Sequence, residues 1–403
     1  MKLVGKEDLP MSWKETCAMQ ERMEFVSELL EGNRTMTELC LIRGVSRKTG
    51  HKWWGRFLEH GEQGLRDRSR APVNHPNAVS AEVISRLLEA KALHPNWGPE
   101  KLLDALSRTQ PWLGLPVVST AAEILKRHGL VKARRKRRRT PAYTQPFVTM
   151  SEPNAVWSVD FKGQFHTADE RLCYPLTVSD GFSRYLITCQ GLCAPTRVAV
   201  QRHLERAFRT HGLPWAIRSD NGPPFAATTL GGLSRLAVWW IKLGIRPERI
   251  AKGHPEQNGR HERLHWTLKQ DTAMPPKASL RAQQAAFDRF RDEYNHERPH
   301  AALAKRTPAE VYRPSSRSYP TRVREPEYPA HFSVRRVCGS GEIKWRGEFI
   351  YLAQLLAGEP VGLNPLDNRH WRIYYGLVPL GILDSHTKQV SEVRGEPLIG
   401  TQH

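Results

Sequence analysis

The segment between residues 156 and 270 constrains the fold most, because strand patterns and helix patterns alternate along it. Three short apolar strand patterns come first, followed by a helix, a fourth strand and two further helices. In chain order these are Val156–Phe161, Tyr174–Ser179, Tyr185–Gln190, Arg197–His211, Trp215–Ser219, Leu230–Leu243 and Gly259–Gln270. The run Asp180-Gly181-Phe182-Ser183 has the composition of a hairpin turn between the second and third strands. This order predicts a mixed α/β domain over residues 147–314, with helices packed against a sheet.

Residues 1–67 have the pattern of an all-α helix-turn-helix domain. A short helix over Thr37–Arg43 ends at Gly44, and Ser46 can cap a second helix over Arg47–His60. In this motif the second helix enters the major groove of DNA. Its basic residues are the candidate DNA contacts: Arg47, Lys48, His51 and Lys52. The alternative is an ordinary pair of helices with a charged, solvated face.

Residues 68–140 form a second helical region that is typical of a winged-helix-like DNA-binding domain. Its predicted helices are Ala81–Leu93, Gly98–Ser107 and Ser119–His128. It ends in a block, residues 132–139, in which seven of eight residues are basic. Like charges prevent such a block from folding on itself, and we expect it to follow DNA phosphates. The candidate contacts are Arg134, Arg135, Lys136, Arg137 and Arg138. A solvated linker without fixed contacts is the alternative.

The C-terminal residues 325–395 follow a linker at Ser315–Pro320 and contain short strand patterns separated by turns. The strands are Phe332–Val337, Glu342–Trp345, Glu348–Leu352, Val361–Leu363 and Trp371–Tyr375. This spacing predicts a small antiparallel β-barrel, expected to bind DNA or another subunit.

The charge balance points to a polyanionic partner. The chain has 61 Lys and Arg against 41 Asp and Glu, a net charge of +20. Such an excess favours nucleic acid or an anionic membrane, although a merely soluble basic protein has the same balance. The absence of a long apolar stretch weakens the membrane alternative, and we expect a bacterial cytoplasmic, nucleoid-associated protein. The six cysteines form no C-x-x-C pair, which argues against a zinc ribbon and a disulfide framework.

Two aspartates are candidate site residues, one within a predicted strand and one directly after another. In Val156–Phe161 the apolar Trp157 and Val159 share one face, and Asp160 points to the other. Asp220 directly follows the predicted strand Trp215–Ser219, and the end of a strand is where α/β sheets form sites. A buried acid needs a partner, and carboxylates suit Mg²⁺. The plain alternatives are an ion pair for Asp160 and a simple turn for Asp220.

The motifs around these residues resemble those of bacterial insertion-sequence transposases related to retroviral integrases. The motifs are Val156-Trp157-Ser158-Val159-Asp160, Ser219-Asp220-Asn221-Gly222 with Phe225, residues 253–265, residues 294–303 and residues 307–312. The similarity is strong over about residues 153–312, and the N-terminal helix-turn-helix with its Gly64-Leu65 pair also resembles this family. It implies a ribonuclease-H-like core with an Asp-Asp-Glu triad and Mg²⁺.

The third acid of the triad is a choice between two glutamates. Glu256 follows Asp220 after 35 intervening residues, a spacing often associated with the family, and Glu262 follows it after 41. In the family the catalytic Glu comes after a Pro-x-x-x-Gly turn, here Pro255 to Gly259. Glu256 falls inside that turn, so we assign Glu262, which starts the next helix, where a negative charge is stabilised. Lys269 is on the same helix face and is a candidate phosphate contact.

A zinc site is the competing interpretation of this helix. His261-Glu262-Arg263-Leu264-His265 matches H-E-x-x-H, the motif of zinc proteases. The same letters recur at residues 296–300, where Pro299 prevents a regular helix. Zinc protease chemistry explains neither Asp160 nor Asp220, nor the net charge.

The sequence therefore predicts a multidomain DNA transposase. Asp160, Asp220 and Glu262 are expected to hold two Mg²⁺ ions, with Mn²⁺ as a substitute, for cleavage and strand transfer at the ends of an insertion sequence. The partners expected are double-stranded DNA and further copies of the chain, and no membrane. A protein that binds DNA but has lost catalysis is the main alternative.

Overall fold

The computed structural model describes residues 17–69, 78–131, 149–227, 229–250 and 259–392. The chain divides into two compact units, Met1–Ala78 and Val79–His403. The DNA-binding candidates Arg134, Arg135, Lys136, Arg137 and Arg138, and the alternative acid Glu256, lie outside the described residues. Within the described residues, every helix is too short or too polar to cross a membrane.

Unit 1 contains the helix pair that the sequence predicts. Its helices are α1 (Ala18–Leu30), α2 (Met36–Ile42) and α3 (Arg47–His60), followed by a 3-10 turn at Gly61–Leu65. The Ser46 hydroxyl accepts the backbone N–H of Thr49 at 3.1 Å, which satisfies a free donor at the start of α3. The predicted bounds and cap of α3 are confirmed.

Helix α3 packs one face against α2 and leaves the other to solvent. Gly50 permits the close approach, because a Cβ there would lie 2.5 Å from Sγ of Cys40. Trp53 is buried beside Phe25 and Leu39. The four basic candidates on α3 are all exposed: Arg47, Lys48, His51 and Lys52.

Unit 2 begins with a three-helix group, α4 (Ala81–Leu93), α5 (Pro99–Thr109) and α6 (Val118–Arg127). Leu87, Trp97 and Leu102 lie in its core. The group is fastened to later helices by polar contacts. Asn96 Nδ2 donates to Asp271 Oδ1 at 2.6 Å, and Arg108 pairs with Glu310 at 3.0 Å. The helical prediction for this region is confirmed, with shifts of one or two residues at the helix ends.

A mixed six-stranded sheet forms the centre of unit 2. Its strands are β1 (Val156–Phe161), β2 (Phe165–His166), β3 (Leu172–Asp180), β4 (Leu186–Leu192), β5 (Ala216–Ser219) and β6 (Arg246–Arg249). The order is β2-β3-β1-β5-β6, with β4 also paired to β3. β3 is antiparallel to β1 and β4, whereas β1, β5 and β6 are parallel. The predicted mixed α/β core is confirmed.

Helices cover both faces of this sheet. On one face, α7 (Arg197–His211) and α8 (Arg235–Lys242) pack against Trp157 and Val159 of β1. On the other face lie α9 (Gly259–Thr272) and α10 (Leu280–His296). Because side chains alternate along a strand, Asp160 belongs to the α9 face.

The prediction of one helix over Leu230–Leu243 is wrong. The structure has a 3-10 turn at Leu230–Gly232 and starts α8 only at Arg235. Gly231 and Gly232 both have positive φ, which interrupts a right-handed helix. Ser234 then caps α8 by accepting the N–H of Ala237 at 3.2 Å.

After the short helix α11 (Pro308–Val311), the C-terminal residues form strands as predicted. They are β7 (Ser333–Arg336), β8 (Glu342–Trp345), β9 (Glu348–Tyr351), β10 (Pro360–Pro365), β11 (His370–Tyr375), β12 (Val378–Asp384) and β13 (Val390–Glu392). Five of them form a sheet in the order β13-β12-β11-β10-β7, and β8 and β9 form a hairpin. Their apolar residues share one core with α8, and Lys242 Nζ donates to Glu359 Oε1 at 2.8 Å. The linker predicted at Ser315–Pro320 lies against the core, where Arg317 donates to the carbonyls of Pro214 and Gly244.

The side chain of Asn295 forms hydrogen bonds with the backbone of β4, and we expect these bonds to stabilise the fold. The buried amide accepts the N–H of Leu186 at 2.8 Å and donates to the Leu186 carbonyl at 3.0 Å. Asn295→Ala leaves both groups unsatisfied, and we expect a loss of about 2–4 kcal/mol in the free energy of unfolding, measured in urea.

Gln284→Ala is the matched control for this measurement. Gln284 makes the same pair of contacts with β4, to Gly191 N and the Cys189 carbonyl, but it is only half-buried. Water can replace its amide, so we expect a smaller loss of about 1 kcal/mol. Equal losses in the two variants would contradict the prediction.

Candidate active site

Asp160 lies near the end of β1, on the face that α9 covers. Its side chain is 21% exposed. Oδ1 accepts the backbone N–H of Phe161 at 2.7 Å, and Oδ2 lies 3.8 Å from Nδ1 of His265. The hydrogen bond fixes one oxygen of the carboxylate and leaves the other facing the helix.

Asp220 directly follows β5, which runs parallel to β1. The register pairs Trp157 with Ile217 and Ser158 with Arg218. The same register sets Asp220 beside Asp160 at the carboxyl ends of the two strands. Asp220 Oδ1 is buried and has no hydrogen-bond partner among the described residues. Burial raises the pKa of this carboxyl, while a hydrogen bond from Gly222 acts in the opposite direction.

Glu262 lies in the first turn of α9 and is exposed. Its negative charge acts on the carboxyl group of Asp160. The pKa of Asp160 is raised from an ordinary 3.8 to about 7, mainly by burial and then by the charge of Asp220, with Glu262 adding to the rise. Lys162 lowers this pKa. The fold therefore brings the acidic residues of β1 and β5 together, with Glu262 of α9 close enough to act on Asp160.

Two histidines attach α9 to the sheet beneath these acids. His261 and His265 are one turn apart on the inner face of the helix, and both are buried. Thr177 Oγ1 lies 2.7 Å from Nε2 of each ring, and Ser179 Oγ lies 3.1 Å from Nδ1 of His261. Burial lowers the pKa of His261 to about 3 and that of His265 to about 2, so both rings are neutral.

The H-E-x-x-H pattern therefore does not form the zinc-protease arrangement. Both Nε2 atoms are directed to a threonine hydroxyl, and Glu262 is exposed while the histidines face inward. Sequence reasoning treated the two histidines only as rival metal ligands and did not predict this anchoring. Their i, i+4 spacing on an inner helix face was the available signal.

The second H-E-x-x-H match is interrupted as predicted. Helix α10 ends at His296, just before Pro299. Arg298 is buried and pairs with Asp271 at 3.4 Å, and burial lowers the pKa of His300 to about 3. These residues support the contact between α9, α10 and the three-helix group.

Lys269, the remaining sequence candidate, is exposed near the end of α9. It lies two helical turns after Glu262, with the partly exposed Trp266 between them. The exposed face of α9 thus carries an acid, an aromatic ring and a cation in one row.

Comparison with known proteins matches the Integrase core domain family to residues 150–255 and again to 243–308. A Helix-turn-helix domain family matches residues 21–72, and a Homeodomain-like domain family matches residues 49–125. The chain is 26% identical over 298 residues to the Insertion element IS476 uncharacterized 39.2 kDa protein of Xanthomonas euvesicatoria, covering 73% of this chain and 78% of that protein. It is 31% identical over 117 residues to the Putative transposase InsD for insertion element IS2E of Escherichia coli K12, covering 28% and 50%.

The chain contains an integrase-core match and is similar to proteins of bacterial insertion elements. Among solved structures, the HTLV-2 integrase catalytic core domain in complex with magnesium shares 16% identity with a TM-score of 0.33. That similarity covers 40% of this chain and 99% of the viral one. The two integrase-core matches together span β1, β5 and α9, the elements that carry Asp160, Asp220 and Glu262.

The acidic residues of this site fit a divalent metal. The buried Asp220 Oδ1 lacks a hydrogen-bond donor, and an oxygen of that kind is completed by a cation. Ligand atoms of Asp160, His261 and His265 also lie within 4.8 Å of one another. The hard carboxylate oxygens suit Mg²⁺.

The raised pKa of Asp160 predicts how stability depends on pH in the metal-free protein. Because this pKa rises from 3.8 to about 7, the folded protein binds an extra proton between these values. Stability therefore falls as pH rises through that window and levels off above about pH 7. Asp160→Asn removes this contribution.

The measurement is the thermal unfolding midpoint, Tm, from pH 5 to 8 in EDTA for wild type and Asp160→Asn. We expect the Tm of wild type to fall more steeply with pH than that of the variant. The buried Asp180, whose pKa is also raised, is present in both proteins and serves as an internal control. Parallel pH profiles for the two proteins would show that Asp160 titrates normally.

Proposed function

We propose that Asp160, Asp220 and Glu262 are the catalytic, metal-binding triad with which the transposase cuts DNA at the ends of an insertion element and joins the freed 3′-hydroxyl to target DNA. The observation that supports the proposal is the parallel register of β1 and β5, which sets Asp220 beside Asp160, together with the first-turn position of Glu262 on the helix that covers Asp160. Uncompensated carboxylates at one spot suit two Mg²⁺ ions, or Mn²⁺ as a substitute.

The bound ions would activate the attacking oxygen and stabilise the leaving oxygen of the phosphodiester. The chain's own residues hold the three acids in position. The Phe161 N–H orients Asp160, the turn after β5 presents Asp220, and the anchored α9 holds Glu262 at the helix start. No side chain has to form a covalent intermediate with DNA.

DNA contacts are proposed for the exposed basic residues. Arg47, Lys48, His51 and Lys52 form a cationic face on α3, which suits phosphates and the major groove. Lys269 suits a phosphate near the acids. The basic residues Arg134, Arg135, Lys136, Arg137 and Arg138 extend the proposal to the segment before the core.

We also propose a modular organisation: residues 1–67 and 68–140 bind DNA, 147–314 form the ribonuclease-H-like catalytic core, and 325–395 form a small barrel-like module that binds DNA or another subunit. Joining two element ends to one target requires more than one active site. The transposase is therefore proposed to act as a multimer on double-stranded DNA in the bacterial cytoplasm.

Glu262→Gln tests the third acid in a strand-transfer assay with element-end DNA and Mg²⁺. The amide keeps the size of the side chain but removes its charge. A metal ligand contributes several kcal/mol to transition-state stabilisation, so we expect joined product to fall about 10³-fold, with DNA binding retained.

Glu256→Gln is the matched control and is expected to keep wild-type activity. The reverse result, loss in Glu256→Gln and activity in Glu262→Gln, would assign the triad to Glu256. A wild-type protein that binds end DNA but joins none would identify a DNA-binding protein without catalysis.

The double variant Lys48→Gln/Lys52→Gln tests the α3 surface. Each phosphate contact contributes about 0.9 to the slope of log affinity against log salt concentration. We expect the slope to become shallower by about 1.8, measured by fluorescence anisotropy on duplex end DNA. Arg34→Gln is the control, because Arg34 precedes α2 and pairs with Glu28. Equal slopes for wild type and the double variant would exclude this surface.

A further inference from the structure

The hydroxyl of Thr177 determines which nitrogen of each buried histidine carries hydrogen. Thr177 Oγ1 contacts three atoms: the Asp160 carbonyl at 3.1 Å and Nε2 of His261 and His265 at 2.7 Å each. The carbonyl can only accept, and a hydroxyl has a single hydrogen to donate. All three bonds are satisfied only if Thr177 donates to the carbonyl and both Nε2–H groups donate to Thr177. These tautomers follow from the hydrogen-bond network.

The same assignment leaves both Nδ1 atoms without hydrogen, but in different surroundings. Nδ1 of His261 accepts from the Ser179 hydroxyl at 3.1 Å. Nδ1 of His265 instead faces Oδ2 of Asp160 at 3.8 Å. A ring nitrogen lone pair and a carboxylate oxygen are both acceptors, so nothing joins them directly. A cation between the two atoms would satisfy both.

We propose that His265 Nδ1 and Asp160 Oδ2 bind one divalent first-row transition-metal ion, so that this site favours Mn²⁺ over Mg²⁺. The proposal rests on the proposed function only in taking Asp160 as a metal ligand. Two coordination bonds of about 2.1 Å can span the 3.8 Å between the atoms. Mg²⁺ takes oxygen ligands almost exclusively, whereas the Mn²⁺-to-Zn²⁺ series accepts imidazole beside carboxylate.

The neighbouring His261 provides a contrast within the same cluster. It has the same burial and the same Nε2 contact with Thr177, but its Nδ1 is occupied by Ser179. The geometry therefore assigns the ligand nitrogen to one of the two histidines, although atoms of both lie within 4.8 Å of Asp160.

The direct test is pulsed electron paramagnetic resonance on DNA-free, full-length wild type loaded with Mn²⁺, with unlabelled and ¹⁵N-histidine-labelled protein. We expect nitrogen modulation from a coordinated imidazole, which changes frequency on labelling. Its absence would overturn the proposal. The spectrum is recorded without DNA and without turnover, so it is decided separately from strand transfer, on which the proposed function depends.

His265→Gln tests the metal preference by calorimetric titration with Mn²⁺ and with Mg²⁺. The glutamine amide can still donate to Thr177, but the imidazole Nδ1 that faces Asp160 is removed. Outer-shell partners already change metal affinity by about 10–100-fold, so we expect at least a tenfold loss for Mn²⁺. The Mg²⁺ affinity should change less than about threefold, because Mg²⁺ does not use the nitrogen.

His261→Gln is the matched control and should leave the Mn²⁺-to-Mg²⁺ preference unchanged. Equal losses of both metals in His265→Gln would mean that the ring only positions Asp160, and would overturn the proposal. Circular dichroism and Tm establish whether each variant is folded. If a variant does not fold, the electron paramagnetic resonance spectrum of the wild type alone decides whether a histidine nitrogen binds the metal.

Discussion

The burial of Asp160 beside a second acid, Asp220, is the constraint on which the site depends. β1 and β5 run parallel and end side by side, so Asp160 and Asp220 meet at one edge of the sheet. The pKa of Asp160 is raised to about 7 by burial and then by its acidic neighbours. Such a group lowers the stability of the metal-free fold at neutral pH and gains most from a bound cation. The same arrangement that opposes folding makes the site suitable for metal-assisted chemistry.

The position of Glu262 depends on interactions that lie below it. A helix that carries an exposed acid must be held from its opposite face, and His261 and His265 do this through Thr177. Behind them, Leu264 and Leu268 pack with Phe287 of α10. Asn295 and Gln284 in turn connect α10 to the backbone of β4. Strand, histidine pair and helix therefore form a continuous support for the third acid.

Predictions from sequence were most successful where local patterns decide structure. The bounds of β1, α3 and α7 follow from apolar periodicity and from capping residues such as Ser46, which act over a few positions. The helix predicted over Leu230–Leu243 failed at Gly231 and Gly232, whose positive φ is not visible in an apolar pattern. Strand β6 went unpredicted because Arg246–Arg249 is polar, and it pairs with β5 through its backbone. Helix α10 was not predicted, and only its last three residues belong to the motif at residues 294–303.

The amino-acid sequence by itself indicated the resemblance to integrase-like transposases and predicted the two aspartates and the preference for Glu262, because strand ends, turn residues and motif letters are local and can be recognised without coordinates. Only the tertiary structure decided what the H-E-x-x-H letters do. The helix face buries both imidazoles, Thr177 on β3 satisfies their Nε2 atoms, and His265 Nδ1 is left facing Asp160. That outcome depends on strand register and helix docking between residues 177 and 265, which are distant in sequence. No local pattern contains this information.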